Sequence, residues 1–198
     1  WCYEIKFDGY RILARIDDGE VRLFTRNGHD WTAKMPRQVA ALKKLKLKSA
    51  WLDGEMVVAN ADGVSDFQAL QNAFDDGSDE AIVYYLFDVP YLNGRDLRQC
   101  PLQERRTALA AVLEHNDAPQ LRYSEDFDQP VDSLLASACQ MDMEGLIGKR
   151  EDSLYSGKRS HDWIKLKCKQ RQEFVIVGFT QPQGTRSGFG ALLLAVNE

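Results

Sequence analysis

The chain has 198 residues, 44% of them hydrophobic and 28% charged, and its 25 basic and 30 acidic side chains give a formal net charge of −5. That size and composition describe one sizeable globular domain, or one domain and part of another. The acidic balance argues against a generic DNA-coating protein but leaves room for a local basic groove.

No apolar run approaches the roughly 20 residues of a membrane span, so no membrane partner is expected. Beginning at Trp1 with no initiator methionine and no signal peptide, the chain reads as an excised piece of a longer cytoplasmic protein. Its opening stretch, YEIKFDGYR, alternates with period two. Glu4, Lys6 and Asp8 fall on one strand face, Ile5 and Phe7 on the other.

A turn at Asp8-Gly9 leads into the strand YRILARI, which Asp17 to Gly19 fold into a hairpin with EVRLFT. Arg26 follows in TRNG. Pro36 opens an amphipathic helix to about Leu45. The run KKLKLK, Lys43 to Lys48, reads as a solvated helix end in preference to a phosphate contact.

WLDGEMVVAN is a strand, and SDFQALQNAF a short helix capped by Ser65 or Asp66. AIVYYLFDVPYL is the most apolar strand, closed by the turn NGRD. Pro101 opens a helix to Glu114, and PVDSLLASAC forms another. EGLIGKR, DWIKLKCK and EFVIVGFT return to strands, and GALLLAVNE carries a further strand pattern. GTRSGFG, Gly184 to Gly190, lies between two strand patterns and reads as a hairpin loop rather than a phosphate-binding glycine loop. Short connections between most strands favour an antiparallel-sheet-rich α+β fold.

Four cysteines, Cys2, Cys100, Cys139 and Cys168, lie far apart with no CxxC pair and read as reduced thiols, without a zinc site. His29, His115 and His161 show no metal-ligand spacing either.

The strands carry polar residues that a plain sheet does not need. Lys6 precedes Asp8-Gly9 and Arg11, Glu55 interrupts WLDGEMVV, and Glu144 opens EGLIGKR. Lys165, Lys167 and Lys169 share one face of WIKLKCK by period two, and Phe87 sits in YYLFDV. Singly, each has a bland reading: a strand lysine or glutamate belongs to a solvated face, and Phe87 to the core. Their order along the chain carries the weight.

That order resembles the covalent nucleotidyltransferases, the family of ATP-dependent DNA ligases, RNA ligases and mRNA capping enzymes. KFDGYR looks like motif I, TRNG like motif Ia, WLDGEMVV like motif III, YYLFDV like motif IIIa, EGLIGKR like motif IV and WIKLK like motif V. The resemblance spans nearly the whole chain. YEIKFDGYR, FTRNGHDWT, DFQALQNAF and RSGFGALLL are similar to the ligase domains of the bacterial ligase D group.

The resemblance implies a nucleotidyltransferase domain over residues 1–171 and the first strands of an OB-fold over 172–198. It implies that Lys6 attacks the α-phosphate of ATP and forms lysyl-AMP. A free lysine amine is almost wholly protonated at neutral pH, and neighbouring cations favour the neutral, nucleophilic form. Lys165 and Lys167 are expected to supply that charge and to neutralise phosphate.

Glu144 and Glu55 offer hard oxygen ligands for Mg²⁺ or Mn²⁺, with Glu55 also suited to the ribose. Phe87 would stack on adenine, and Glu4 would accept from its amino group. Arg11 and Arg26 would bind ribose, the AMP phosphate or the 5′-phosphate of a nick. The implied substrate is nicked or broken double-stranded DNA in a bacterial, nucleoid-associated setting, with end joining as the process. Ku and fused polymerase and phosphoesterase domains would be partners in a larger chain.

A basic motif VI, which orients pyrophosphate, lies outside these residues, so self-adenylation by 1–198 alone is expected to be slow. Within the same chemistry the alternatives are RNA ligase and GTP-using capping enzyme. From another class comes an idle nucleotide- or DNA-binding module.

Overall fold

The computed structural model describes residues 1–158, 160–168, 174–182, 184 and 188–196. In chain order the elements are β1 (Cys2–Ile5), β2 (Tyr10–Asp17), β3 (Glu20–Thr25), α1 (Pro36–Lys44), β4 (Ser49–Val57), α2 (Phe67–Asp75), β5 (Val83–Leu92) and β6 (Arg95–Asp96). There follow α3 (Leu102–Leu113), β7 (Leu121–Tyr123), β8 (Asp126–Phe127), α4 (Val131–Gln140), β9 (Gly145–Lys149), β10 (Trp163–Lys167), β11 (Val175–Phe179) and β12 (Leu192–Ala195). They divide into two units, Trp1–Cys168 and Lys169–Glu198. The boundary expected at 171/172 falls among residues 169–173, outside the described ones.

The first unit contains two sheets. One has the order β10-β9-β1-β8, and the other runs β3-β2-β4-β5-β6 with β7 added beside β5. All pairings are antiparallel except β5 with β7. The fold is the expected antiparallel-rich α+β type. The segment holding Lys6 is not a hairpin, however. The chain leaves the four-stranded sheet at Ile5 and joins the larger one at Tyr10, so Lys6 to Gly9 bridge the two sheets.

Period two decides what each sheet buries. Ile12, Ala14 and Ile16 of β2, Leu52 and Met56 of β4 and Leu86 of β5 pack with Leu42 of α1 and Leu70 of α2 in the main core. Tyr84 joins them because its hydroxyl donates to the carbonyls of Ile12 (2.8 Å) and Leu52 (3.0 Å), which satisfies a buried polar group. On the smaller sheet, Ile5 pairs with Leu146 and packs with Leu134 and Ala138 of α4. Glu4, Ile147 and Lys165 are directly opposite one another and share the other face.

The local signals behave as sequence predicts. Asp18 and Gly19 take positive φ at the β2–β3 hairpin. Pro36 opens α1, and Asp66, rather than Ser65, caps α2 by accepting from the Ala69 amide at 2.9 Å. Lys43, Lys44, Lys46 and Lys48 are exposed.

The cysteine expectation is overturned in one pair: Cys139 and Cys168 form a disulfide, while Cys2 and Cys100 are free. The pair is 29 residues apart in sequence. It meets because α4 packs on β9 and β10 pairs with β9, which brings the end of α4 to the end of β10.

The second unit shows β11 paired antiparallel with β12. Ile176, Phe179 and Leu192 to Leu194 are exposed on this ribbon. Of the GTRSGFG loop, residues 185–187 lie outside the described ones, as does Lys169 of the period-two lysine face.

Candidate active site

Lys6 sits at the exit of β1, where its amide still donates to the Gly145 carbonyl at 2.9 Å. Two neighbours fix the turn that follows. Ser65 Oγ accepts from the Asp8 amide at 3.1 Å. A Cβ at Gly9 would lie 2.1 Å from the Met56 carbonyl oxygen, so only glycine permits this approach to β4.

The Lys6 side chain is 11% exposed and its ammonium is ion-paired with Glu144 Oε2. Glu144 Oε1 is ion-paired with Lys167 Nζ at 3.1 Å. Gly145 makes the corner possible. Its φ is +137°, and a Cβ there would meet the Leu166 carbonyl at 2.0 Å. Burial opposes ionisation of Glu144, but its bonds from Lys6 and Lys167 outweigh that and hold the carboxyl below its ordinary range. The sequence expects Lys6 beside the motif V lysines, and the structure interposes a carboxylate between Lys6 and Lys167.

Glu4 is 2% exposed and enclosed by cations. Its Oε1 accepts from Arg106 and from Lys149 Nζ (2.5 Å), and its Oε2 from Ser124 Oγ (2.6 Å). Three of roughly four acceptor positions on the carboxylate are therefore in use. Lys149 also lies 4.4 Å from the Phe87 ring centre and 4.3 Å from that of Trp163. Phe87 is only 9% exposed, in edge-to-face contact with Trp163 at 5.8 Å.

On the facing sheet, Arg11 forks onto Asp53, with Nε to Oδ1 at 3.0 Å and Nη2 to Oδ2 at 2.6 Å. Burial works against the charge of Arg11, but the Asp53 bonds raise its pKa overall. Glu55 is opposite Arg11 in the β2–β4 register. Its carboxyl is pushed up to about 7, chiefly by burial, with Arg11 and Lys6 opposing and Asp53 and Asp8 adding to the rise. Arg26 and Lys165 are exposed and make no ion pair among the described residues.

Among the described residues no three His, Cys, Asp or Glu side chains form a metal cage. The donor set fits a different kind of ion. Mg²⁺ keeps several waters and uses one or two carboxylates plus substrate phosphates, which Glu144 and Glu55 could supply.

The sequence reading missed Asp53, Arg105, Arg106, Lys149 and Tyr155. One signal existed. In LQERRTALAAVL, Arg105 shares a helical stripe with Leu102 and Leu109, an unusual place for an unpaired charge. It is fully buried against Asp88, with Nε to Oδ1 at 2.8 Å and Nη2 to Oδ2 at 2.9 Å.

Residues 1–167 match the family described as ATP dependent DNA ligase domain. The chain is 56% identical over 196 residues to the multifunctional non-homologous end joining protein LigD of Pseudomonas aeruginosa, covering 99% of this chain and 23% of that protein. It is 39% identical over 200 residues to the LigD of Mycobacterium tuberculosis, covering 99% of this chain and 25% of that protein. The chain thus spans about a quarter of the length of these relatives. Its fold matches a solved structure described as mycobacterial DNA ligase D complexed with ATP and MES, with a TM-score of 0.76 and 36% identity, covering 98% of this chain and 61% of that one.

Proposed function

Because the chain belongs to the ATP-dependent DNA ligase domain family, we propose that it is the nucleotidyltransferase part of a DNA-joining enzyme that acts through Lys6. The observation that carries this reading is the meeting of Lys6, Glu144 and Lys167 where β1 and β10 end and β9 begins. A nucleophilic amine, a hard anionic ligand and a second cation stand together there.

In the proposed first step the Lys6 amine attacks the α-phosphorus of ATP. The bond to pyrophosphate breaks, and AMP remains on nitrogen as a phosphoramidate. Attack needs the lone pair of the lysine, so the Lys6 ammonium first gives up a proton, to Glu144 or to water, and turns from the carboxylate to the phosphorus. A divalent ion, when bound, would offset phosphate charge, with Glu144 and Glu55 as its protein ligands. Lys165 and Lys167 add fixed positive charge on the same side. AMP then passes to the 5′-phosphate of a DNA break, and the adjacent 3′-hydroxyl displaces it.

The adenine is assigned to the Phe87 and Glu4 region. Accommodating it there requires Lys149 to shift off the aromatic ring, since ring and carboxylate are both enclosed. Arg11 and Arg26 are assigned to phosphate or ribose. Domains 1–171 and 172–198 and a Ku partner belong to the same reading; end joining and further fused domains are supported by the relatives' printed name, multifunctional non-homologous end joining protein.

The test is sealing of a nicked duplex with a labelled 5′-phosphate, assayed with ATP and Mg²⁺ or Mn²⁺ and compared with an RNA-containing nick. Conversion of the label to a phosphatase-resistant form on DNA supports the reading. Sealing of the RNA nick alone contradicts it.

A further inference from the structure

Arg11 is held from behind by a chain of contacts in which its own motif is only the last link. Asp53, whose side chain is 2% exposed, accepts both fork hydrogen bonds from Arg11 and a third from Tyr155 Oη, at 2.7 Å to Oδ2. Arg11 itself is 43% exposed, and its Nη1 has no hydrogen-bond partner among the described residues. Its guanidinium carbon stands 5.5 Å from the Phe87 ring centre. One edge of the fork is thus locked to Asp53, and the other is free beside the candidate nucleotide site.

Tyr155 lies in the connection from β9 to β10, which is anchored to the body of the unit. The buried Arg105 donates to the Ser153 carbonyl at 3.0 Å, and its guanidinium lies 5.7 Å from the Tyr155 ring centre. The Gln103 amide donates to the Glu151 carbonyl at 3.0 Å, and the Tyr155 amide to the Arg98 carbonyl at 3.0 Å. Burial, and then the Asp53 charge, push the phenol pKa well up, so the hydroxyl remains a donor to Asp53. A free loop tyrosine would not be fixed in this way.

We propose that Tyr155 is a positioning residue for Arg11. Its hydroxyl fixes the Asp53 carboxylate, and the carboxylate in turn fixes the guanidinium edge offered to phosphate. This rests on the ligase reading in so far as Arg11 binds a phosphate of the nucleotide or the nick. Without the hydroxyl, Asp53 keeps the ion pair but loses one of three bonds, and the fork samples orientations that do not serve catalysis.

The experiment is a double-substitution cycle on this chain with Tyr155→Phe and Arg11→Lys. It measures single-turnover self-adenylation and sealing of a pre-adenylated nick, together with melting temperature and proton exchange of the Arg11 Nε–H by NMR. Tyr155→Phe is expected to slow whichever step Arg11→Lys slows, by about tenfold, the order expected for one charge-assisted hydrogen bond. It should add less than about twofold in the Arg11→Lys background, where no fork exists to aim. Arg11 Nε–H exchange should quicken while melting shifts little, because the ring still packs on Arg105.

Equal slowing in both backgrounds, or rates within about twofold of the parent, would overturn the proposal. If the parent neither labels nor seals, the ligase reading fails on its own account. The exchange measurement then still decides the geometry, and unchanged Nε–H exchange in Tyr155→Phe refutes it.

Discussion

Lys6 and Glu144 lie 138 residues apart in sequence and are ion-paired in the structure. The carboxylate proposed as a metal ligand is also the ion-pair partner of the proposed nucleophile. Glu144→Ala should therefore release Lys6 yet fail to gain activity, because the ligand and the anchor for Lys167 go with it. Its single-turnover labelling from ATP is expected to fall by about 100-fold or more. Labelling at the parent rate would remove Glu144 from the chemistry.

Glu4 is a cornerstone of the fold as well as a candidate reader of adenine. Glu4→Ala leaves Lys149 in a buried site without its counter-charge and Arg106 with Asp126 alone. Stability is expected to drop by about 3–5 kcal/mol, the usual effect of removing one partner from a buried ion pair. Urea denaturation of parent and variant measures this. A loss below about 1 kcal/mol would mean that water or movement of Arg106 relieves the charge.

The strands and helices were legible because their signals are local. Period two marked β2 and β4, Pro36 and Pro101 marked helix starts, and Asp17 to Gly19 marked a hairpin. The order of Lys6, Glu55, Glu144 and Lys167 was legible for the same reason, since each sits in its own short motif. What the sequence hid is what only packing brings together. Arg106 reaches Glu4 from 102 residues away, and Tyr155 reaches Asp53 across another 102. Strands β6 and β8, two residues each, are too short to show periodicity. Cys139 and Cys168 were misread because spacing rules detect neighbouring cysteines and not ones joined through α4 and β10.

Glu55 gives a pH signature. Its carboxyl titrates at about 7 in the folded state against 4.5 as the ordinary value, mainly through burial. Between those values the folded state binds more protons than the unfolded chain, so stability falls as pH rises from 4.5 to 7 and levels off above. In metal-free protein the loss from this group is at most about 3 kcal/mol. Denaturation at pH 5 and pH 8 should show a smaller loss in Glu55→Gln than in the parent. Identical pH dependence would show that Glu55 is ionised without penalty.

The disulfide can be counted. Alkylation of the unreduced, denatured chain should modify two cysteines, Cys2 and Cys100, and reduction should expose Cys139 and Cys168. Breaking a cross-link that spans 29 residues is expected to cost about 3 kcal/mol of stability. Four modifications before reduction would show that the thiols are not joined in solution.

The covalent role of Lys6 is tested most directly by incubating the chain with α-labelled ATP and a divalent ion, denaturing it and mapping the labelled peptide. The expected result is an acid-labile, alkali-stable label on the peptide that contains Lys6. No label is expected on Lys6→Ala, whose melting should stay within a few degrees of the parent because Glu144 keeps its ion pair with Lys167. Label on any other residue, or label retained by folded Lys6→Ala, would contradict it.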